Sequence, residues 1–138
     1  MSISLNRMKE SILRLLAHLY PLSLLKSINY CLDVILSYKF ATKLNACGNG
    51  SRFGHIEFSI GHEHIRVGEN TIFHSHLFLT AWGKKNDKSI KISIGDGCSI
   101  GAYCHISAFN YISIGNNVLI GKWVSIIDNN HGKTNMAF

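Results

Sequence analysis

The chain has a single proline, Pro21, and only 16% of its residues are charged. With so little charge and 46% hydrophobic residues, intrinsic disorder, collagen-like repetition and a charge-rich coiled coil are all excluded. Cysteine is present but unpatterned. Cys31, Cys47, Cys98 and Cys104 form no C-x-x-C pair, so a disulfide scaffold and a zinc ribbon are not expected, and reduced thiols in a cytoplasmic protein are the plain reading. No stretch reaches the roughly 18 uninterrupted apolar residues of a spanning helix. The apolar run after Met8 is broken by Arg14 and His18 and leads to no small-residue cleavage site, so no signal peptide is expected. Phosphate-cradling loops are missing too: Gly95-Asp96-Gly97 does not follow a strand and open a helix. At 138 residues the chain has room for one domain, which rules out a two-domain enzyme.

What charge there is lies mostly at one end. Up to Ala46 six basic residues (Arg7, Lys9, Arg14, Lys26, Lys39 and Lys43) face only Glu10 and Asp33, so this segment carries +4 of the net +6. The basic residues are spread out and not interleaved with aromatics, which argues against a nucleic-acid partner. The same segment has helical periodicity. Ile12, Leu15, Leu16 and Leu19 form one stripe, Leu24, Leu25, Ile28, Leu32, Ile35 and Leu36 a second, and Pro21 separates the two helices. These stripes suit packing on the rest of the protein or on a neighbouring subunit; with their interspersed basic residues they also suit peripheral contact with a membrane. The run Cys47-Gly48-Asn49-Gly50-Ser51 is expected to end the helical part, giving a helical segment over 1–50 and a second region over 51–138.

Beyond that point the period becomes six. Aliphatic residues recur at Ile94, Ile100, Ile106, Ile114, Ile120 and Ile126, with one eight-residue step from 106 to 114, and glycine follows four of them. An earlier, weaker copy runs Val67-Gly68, Phe73, Leu79. Between the copies lies an excursion, Thr80 to Lys91, that carries Trp82 and Lys84, Lys85 and Lys88. A fixed short period marks a solenoid whose units bury their apolar sides only against neighbours. Three hexads make one triangular coil, each short strand forming one face, its aliphatic residue inward and a glycine or small residue at the corner. Residues 67, 73 and 79 should then line the first coil, 94, 100 and 106 the second, and 114, 120 and 126 the third. Only Asp96, Lys122 and Asp128 are charged between Ile92 and Gly132, as a narrow core requires.

These hexads resemble those of the hexapeptide-repeat acyltransferases, whose fold is a left-handed parallel β-helix. The match runs from about Phe58 to Gly132. Its most specific stretch, Ile112-Ser-Ile-Gly-Asn-Asn-Val-Leu-Ile-Gly-Lys-Trp-Val-Ser-Ile-Ile-Asp-Asn-Asn-His-Gly132, is similar to the segment that delivers the catalytic histidine in maltose, galactoside and capsule or lipopolysaccharide O-acetyltransferases. The resemblance implies a mainly β protein of about three coils behind an α-helical segment. It also implies a homotrimer with sites between subunits, acetyl-CoA as donor, a sugar or polysaccharide-precursor acceptor, no metal, and His131 as catalytic base. An imidazole titrating near neutrality suits that chemistry, because it takes the proton of the attacking hydroxyl and returns it to the departing thiol.

Asp128 and Asn130 are close enough in sequence to orient the imidazole or bind the acceptor, or else are solvated corner residues. The family's acidic sugar-binding residue is absent from Ser107-Ala108-Phe109-Asn110-Tyr111, where Asn110 is the neutral replacement. Family members continue for several coils after the histidine, and those coils supply much of the donor groove; this chain has seven residues after His131. It is therefore expected to be a C-terminally truncated member, the alternative to an active enzyme being a scaffold that only self-associates.

Other residues invite simpler readings. His62 and His64, and His74 and His76, form H-x-H pairs that an extended strand would place on one face, as a metal site needs, though exposed coil-wall histidines are the expectation. Cys98 and Cys104 occupy equivalent places after Ile94 and Ile100 and read as small core residues. Trp82 and Trp123 are expected in packing, at the subunit seam or in the ligand groove.

Overall fold

In the computed structural model, residues 2–19, 21–83 and 87–128 are described, the side chains of 2–5 excepted. Two helices come first, α1 (Ser2–Leu19) and α2 (Leu22–Ala41). Pro21 precedes α2, where a residue without an N–H costs the helix nothing, and its carbonyl accepts from the Leu24 N–H at 2.9 Å. Among the described residues no single helix is long and apolar enough to cross a membrane. The chain divides into two units, residues 1–32 and 33–138. The first holds α1 and the beginning of α2, and the second holds everything from Asp33 onward.

Twelve short strands follow, three to a coil. The first coil is β1 (Ala46–Cys47), β2 (Arg52–Phe53) and β3 (Ile56–Ile60), and the second is β4 (Ile65–Val67), β5 (Ile72–Phe73) and β6 (Leu77–Ala81). The third is β7 (Ile92–Ile94), β8 (Ser99–Ile100) and β9 (His105–Ala108), and the fourth is β10 (Ile112–Ile114), β11 (Leu119–Ile120) and β12 (Ser125–Ile127). Each strand pairs in parallel with its counterpart in the next coil, giving three four-stranded sheets, β1-β4-β7-β10, β2-β5-β8-β11 and β3-β6-β9-β12. This is a mainly β, three-faced parallel β-helix preceded by helices.

The inward stacks are those the hexads predict. Val67 pairs with Ile94 and Ile94 with Ile114; Phe73 with Ile100 and Ile100 with Ile120; Leu79 with Ile106 and Ile106 with Ile126. One feature differs from expectation. There are four coils, because Ala46–Ile60 forms one below the first hexads. Its inward places hold Cys47 and Phe53, and its third strand shifts register between Ile56 and Phe58, so the aliphatic repeat is masked. As the eight-residue step implies, paired residues are 20 apart, as in Ile92↔Ile112, because the third corner takes two extra residues. Between the second and third coils the offset is 27, as in Ile65↔Ile92. The seven further residues are the excursion after Ala81, inserted at the same corner.

The C-terminal end of α2 closes the bottom of the helix. Phe40 and Leu44 join the core, Phe40 meets Phe53 edge-on at 4.9 Å, and the buried Ser37 hydroxyl accepts from the Phe53 N–H at 2.8 Å. Corners are closed by left-handed residues stacked one above another. Gly50, Asn70, Gly97 and Asn117 stand at the first corner, and His76, Tyr103 and Trp123 at the second, all with φ between 52° and 76°. Glycine is required beside the first corner for a different reason. A Cβ on Gly95 would lie 2.8 Å from the Asn116 nitrogen and from the Gly115 carbonyl carbon of the next coil, whereas one on Gly115 would meet none of the described residues within 4 Å.

Gly95→Ala should therefore lower unfolding stability by about 2 kcal/mol through overpacking. Gly115→Ala should change it by less than about 0.5 kcal/mol, both read by chemical denaturation.

Candidate functional site

The third corner of the third coil is where sequence reasoning placed its candidates. β9 ends at Ala108 and the chain turns through Phe109, Asn110 and Tyr111, all exposed, before β10. One coil above, β12 ends at Ile127 and Asp128 follows. The Asp128 N–H donates to the Ser107 carbonyl at 3.2 Å, which fixes the carboxylate directly over the turn. Three consecutive backbone N–H groups then donate to it: Phe109 to Oδ1, and Asn110 and Tyr111 to Oδ2 at 2.9 and 2.6 Å. Asp128 is thus tied to the corner that displays the Asn110 side chain, and the structure brings these two candidates together. His131 and Asn130 lie outside the described residues.

Partial burial opposes the Asp128 charge, but the three N–H donors outweigh it and hold the carboxyl below the ordinary aspartate range. A lowered native pKa adds stability above the unfolded value and loses it in acid. The wall beneath this turn is polar but closed: Thr80 Oγ1 donates to Ser107 Oγ at 2.8 Å and Trp82 Nε1 reaches the same oxygen at 3.4 Å. Trp82 therefore sits against the wall that leads into the Phe109–Tyr111 turn.

The histidine pairs are not arranged as extended-strand pairs. His62 and His64 fall in a 3-10 turn, His62–His64. His64 is buried, with Nδ1 2.8 Å from the Ser89 carbonyl, so it anchors the excursion and is not an exposed wall residue. His62 bonds to Ser59 Oγ at 2.9 Å; burial and the nearby Lys43 ammonium lower its pKa. His74 lies on the wall before the corner that contains His76. Among the described residues no group of three or more His, Cys, Asp or Glu side chains could hold a metal ion.

A second ensemble escaped sequence reasoning. His76, Tyr103 and Trp123 stack nearly parallel, with centroids 4.4 and 4.1 Å apart, and His55 continues the column edge-on at 5.7 Å. Glu57 bonds to the His76 ring, which lowers its pKa, and lies 3.8 Å from His55. Left-handed backbone costs a bulky residue about 1–2 kcal/mol, and each aromatic pair returns about 0.5–1.5 kcal/mol, so stacking offsets the strain. The signal was the coil spacing itself, 20 residues from 103 to 123 and 27 from 76 to 103. A cleft of about 330 Å³ lies at the other end of the β-helix, on the first coil, lined by Lys39, Phe40, Lys43, Phe53, His55 and neighbours.

Compared with known proteins, the chain matches no family model, no curated protein and no solved structure at a significant level. The fold places it in a class by architecture, the parallel β-helices.

In thermal melts across pH, wild type should exceed Asp128→Asn at neutral pH. The gap should begin to narrow at about pH 4, where the unfolded chain's aspartate takes up its proton, and close as pH falls through the lower native pKa.

Proposed function

We propose that the chain is an acyltransferase of the hexapeptide-repeat kind, moving an acetyl group from acetyl-CoA to a hydroxyl of a sugar or polysaccharide precursor. The observation that carries this reading is the β-helix with Ile-Gly corners, on whose fourth coil Asp128 closes a turn three residues before His131. Such a scaffold is rigid, and a rigid scaffold suits chemistry that depends on holding a base and an acceptor in register. The step from fold to activity rests on resemblance.

Acetyl-CoA supplies the thioester. His131 takes the proton of the acceptor hydroxyl as its oxygen attacks the carbonyl carbon, and passes it to the thiolate released when the C–S bond breaks. Asn110, exposed on its turn, and Asn130 offer neutral hydrogen-bonding groups to the sugar. Asp128 serves as a positioning residue, its carboxylate engaged by the turn's amides. A homotrimer, with neighbouring walls facing one another, is part of the proposal. So is a cytoplasmic location. The four free cysteines are consistent with it.

A second reading, a β-helix that self-associates without catalysis, draws on the fourth coil, where Val118, Ile120, Val124 and Ile126 are only partly buried. A thiol-release assay with acetyl-CoA and candidate glycans separates the two. Release that depends on the glycan and falls at least about a hundredfold in His131→Ala supports the enzyme. No acetyl-CoA binding by calorimetry, with a folded oligomer in solution, assigns the chain to the scaffold.

A further inference from the structure

Within its own helical unit, the apolar face of α1 has no partner among the described residues. Met8, Ile12, Leu15, Leu16 and Leu19 recur at helical spacing along one side, and all are exposed, Leu15 by 62% and Leu19 by 65%. Arg7, Ser11, Arg14 and His18 mark the opposite side, where the Ser11 hydroxyl donates back to the Arg7 carbonyl at 3.0 Å. Most helical stability in proteins comes from packing of an amphipathic face, so a face this apolar needs cover. The beginning of α2 repeats the pattern, with Leu24, Leu25, Ile28 and Leu32 exposed along one stripe.

We infer that this helical unit docks on an anionic membrane surface, its leucines in the acyl boundary, Lys9 at the lipid phosphates and its net positive charge drawn to the anionic lipid. Charge decides between a bilayer and a second copy of the helices. Up to Leu32 the unit has Arg7, Lys9, Arg14 and Lys26 against Glu10 alone, a net of +3, so two copies approach against net repulsion, whereas an anionic surface attracts the same charge. Lys9 sharpens the distinction. It lies three, four and seven residues before Ile12, Leu13 and Leu16, and so on the apolar side of α1. In a helix bundle its ammonium would be desolvated against apolar neighbours, which is costly without a partner. At a bilayer its stem lies along the leucines while the ammonium reaches the headgroups.

The test is co-sedimentation of the full chain with vesicles of phosphatidylcholine alone and of phosphatidylcholine with about 30 mol% phosphatidylglycerol. Binding should be at least about tenfold tighter to the anionic vesicles and weaken with salt. Combined Arg7→Gln, Lys9→Gln and Arg14→Gln changes should reduce it at least about tenfold. Leu15→Asn with Leu19→Asn should abolish it while the melting of the β-helix is unchanged. Equal binding to both vesicles, no binding to either, or full binding by the Gln variant would overturn the inference. An oligomer that stays in the supernatant and dissociates in the Asn variant would assign the face to a second copy instead.

Discussion

Closing a coil at its first corner buries polar backbone, and the rest of the β-helix depends on how that backbone is satisfied. At this corner each of the first three coils carries one small residue with a donor side chain directed at the coil above. Ser51 Oγ donates to the Gly68 carbonyl at 2.7 Å, Thr71 Oγ1 to Gly95 at 2.8 Å, and Cys98 Sγ to Gly115 at 3.0 Å. The same hydroxyls accept in return, from the Thr71 N–H onto Ser51 and the Cys98 N–H onto Thr71. A buried group left without its bond costs about 1–3 kcal/mol, so a hydrocarbon at one rung would penalise two coils at once. This ladder holds the coils in constant register, and register in turn builds the inward aliphatic stacks.

The outer surface is organised by the same repetition. Once coils sit at fixed offsets, any side chain at a given corner meets its counterpart one coil away. At the second corner this assembles His76, Tyr103 and Trp123 into a column; at the third it sets Asp128 over three amides. Insertions are tolerated only where the chain leaves the wall. The excursion enters at the third corner, held by His64 to Ser89 and by the Lys91 N–H to the His64 carbonyl at 2.8 Å, and the strands on either side keep their pairing.

Much of this architecture was legible beforehand, and the parts that were not share a cause. The stacks through Val67, Phe73 and Leu79 were readable because an inward position admits only apolar or small residues. The first coil was hidden because Cys47 stands where the others carry aliphatics and its third strand shifts register, although Gly48 and Gly54 follow the inward residues in the usual place. His64 was misjudged because burial depends on the excursion folding over it. Asn110 and Asp128 could be named as candidates from their position in the motif, but the three amides that engage Asp128 come from residues 17 to 19 positions earlier.

The sequence by itself determined the period, the identity of the inward faces and the separation of a basic helical segment from a β-helical one. Each follows from what a single strand or helix must bury, which is a local property. The tertiary structure alone decided the number of coils, the aromatic column and the anchoring of the Asp128 carboxylate. Those depend on which residues come to lie one strand spacing apart, and that distance is set by the length of a whole turn and the site of its insertion.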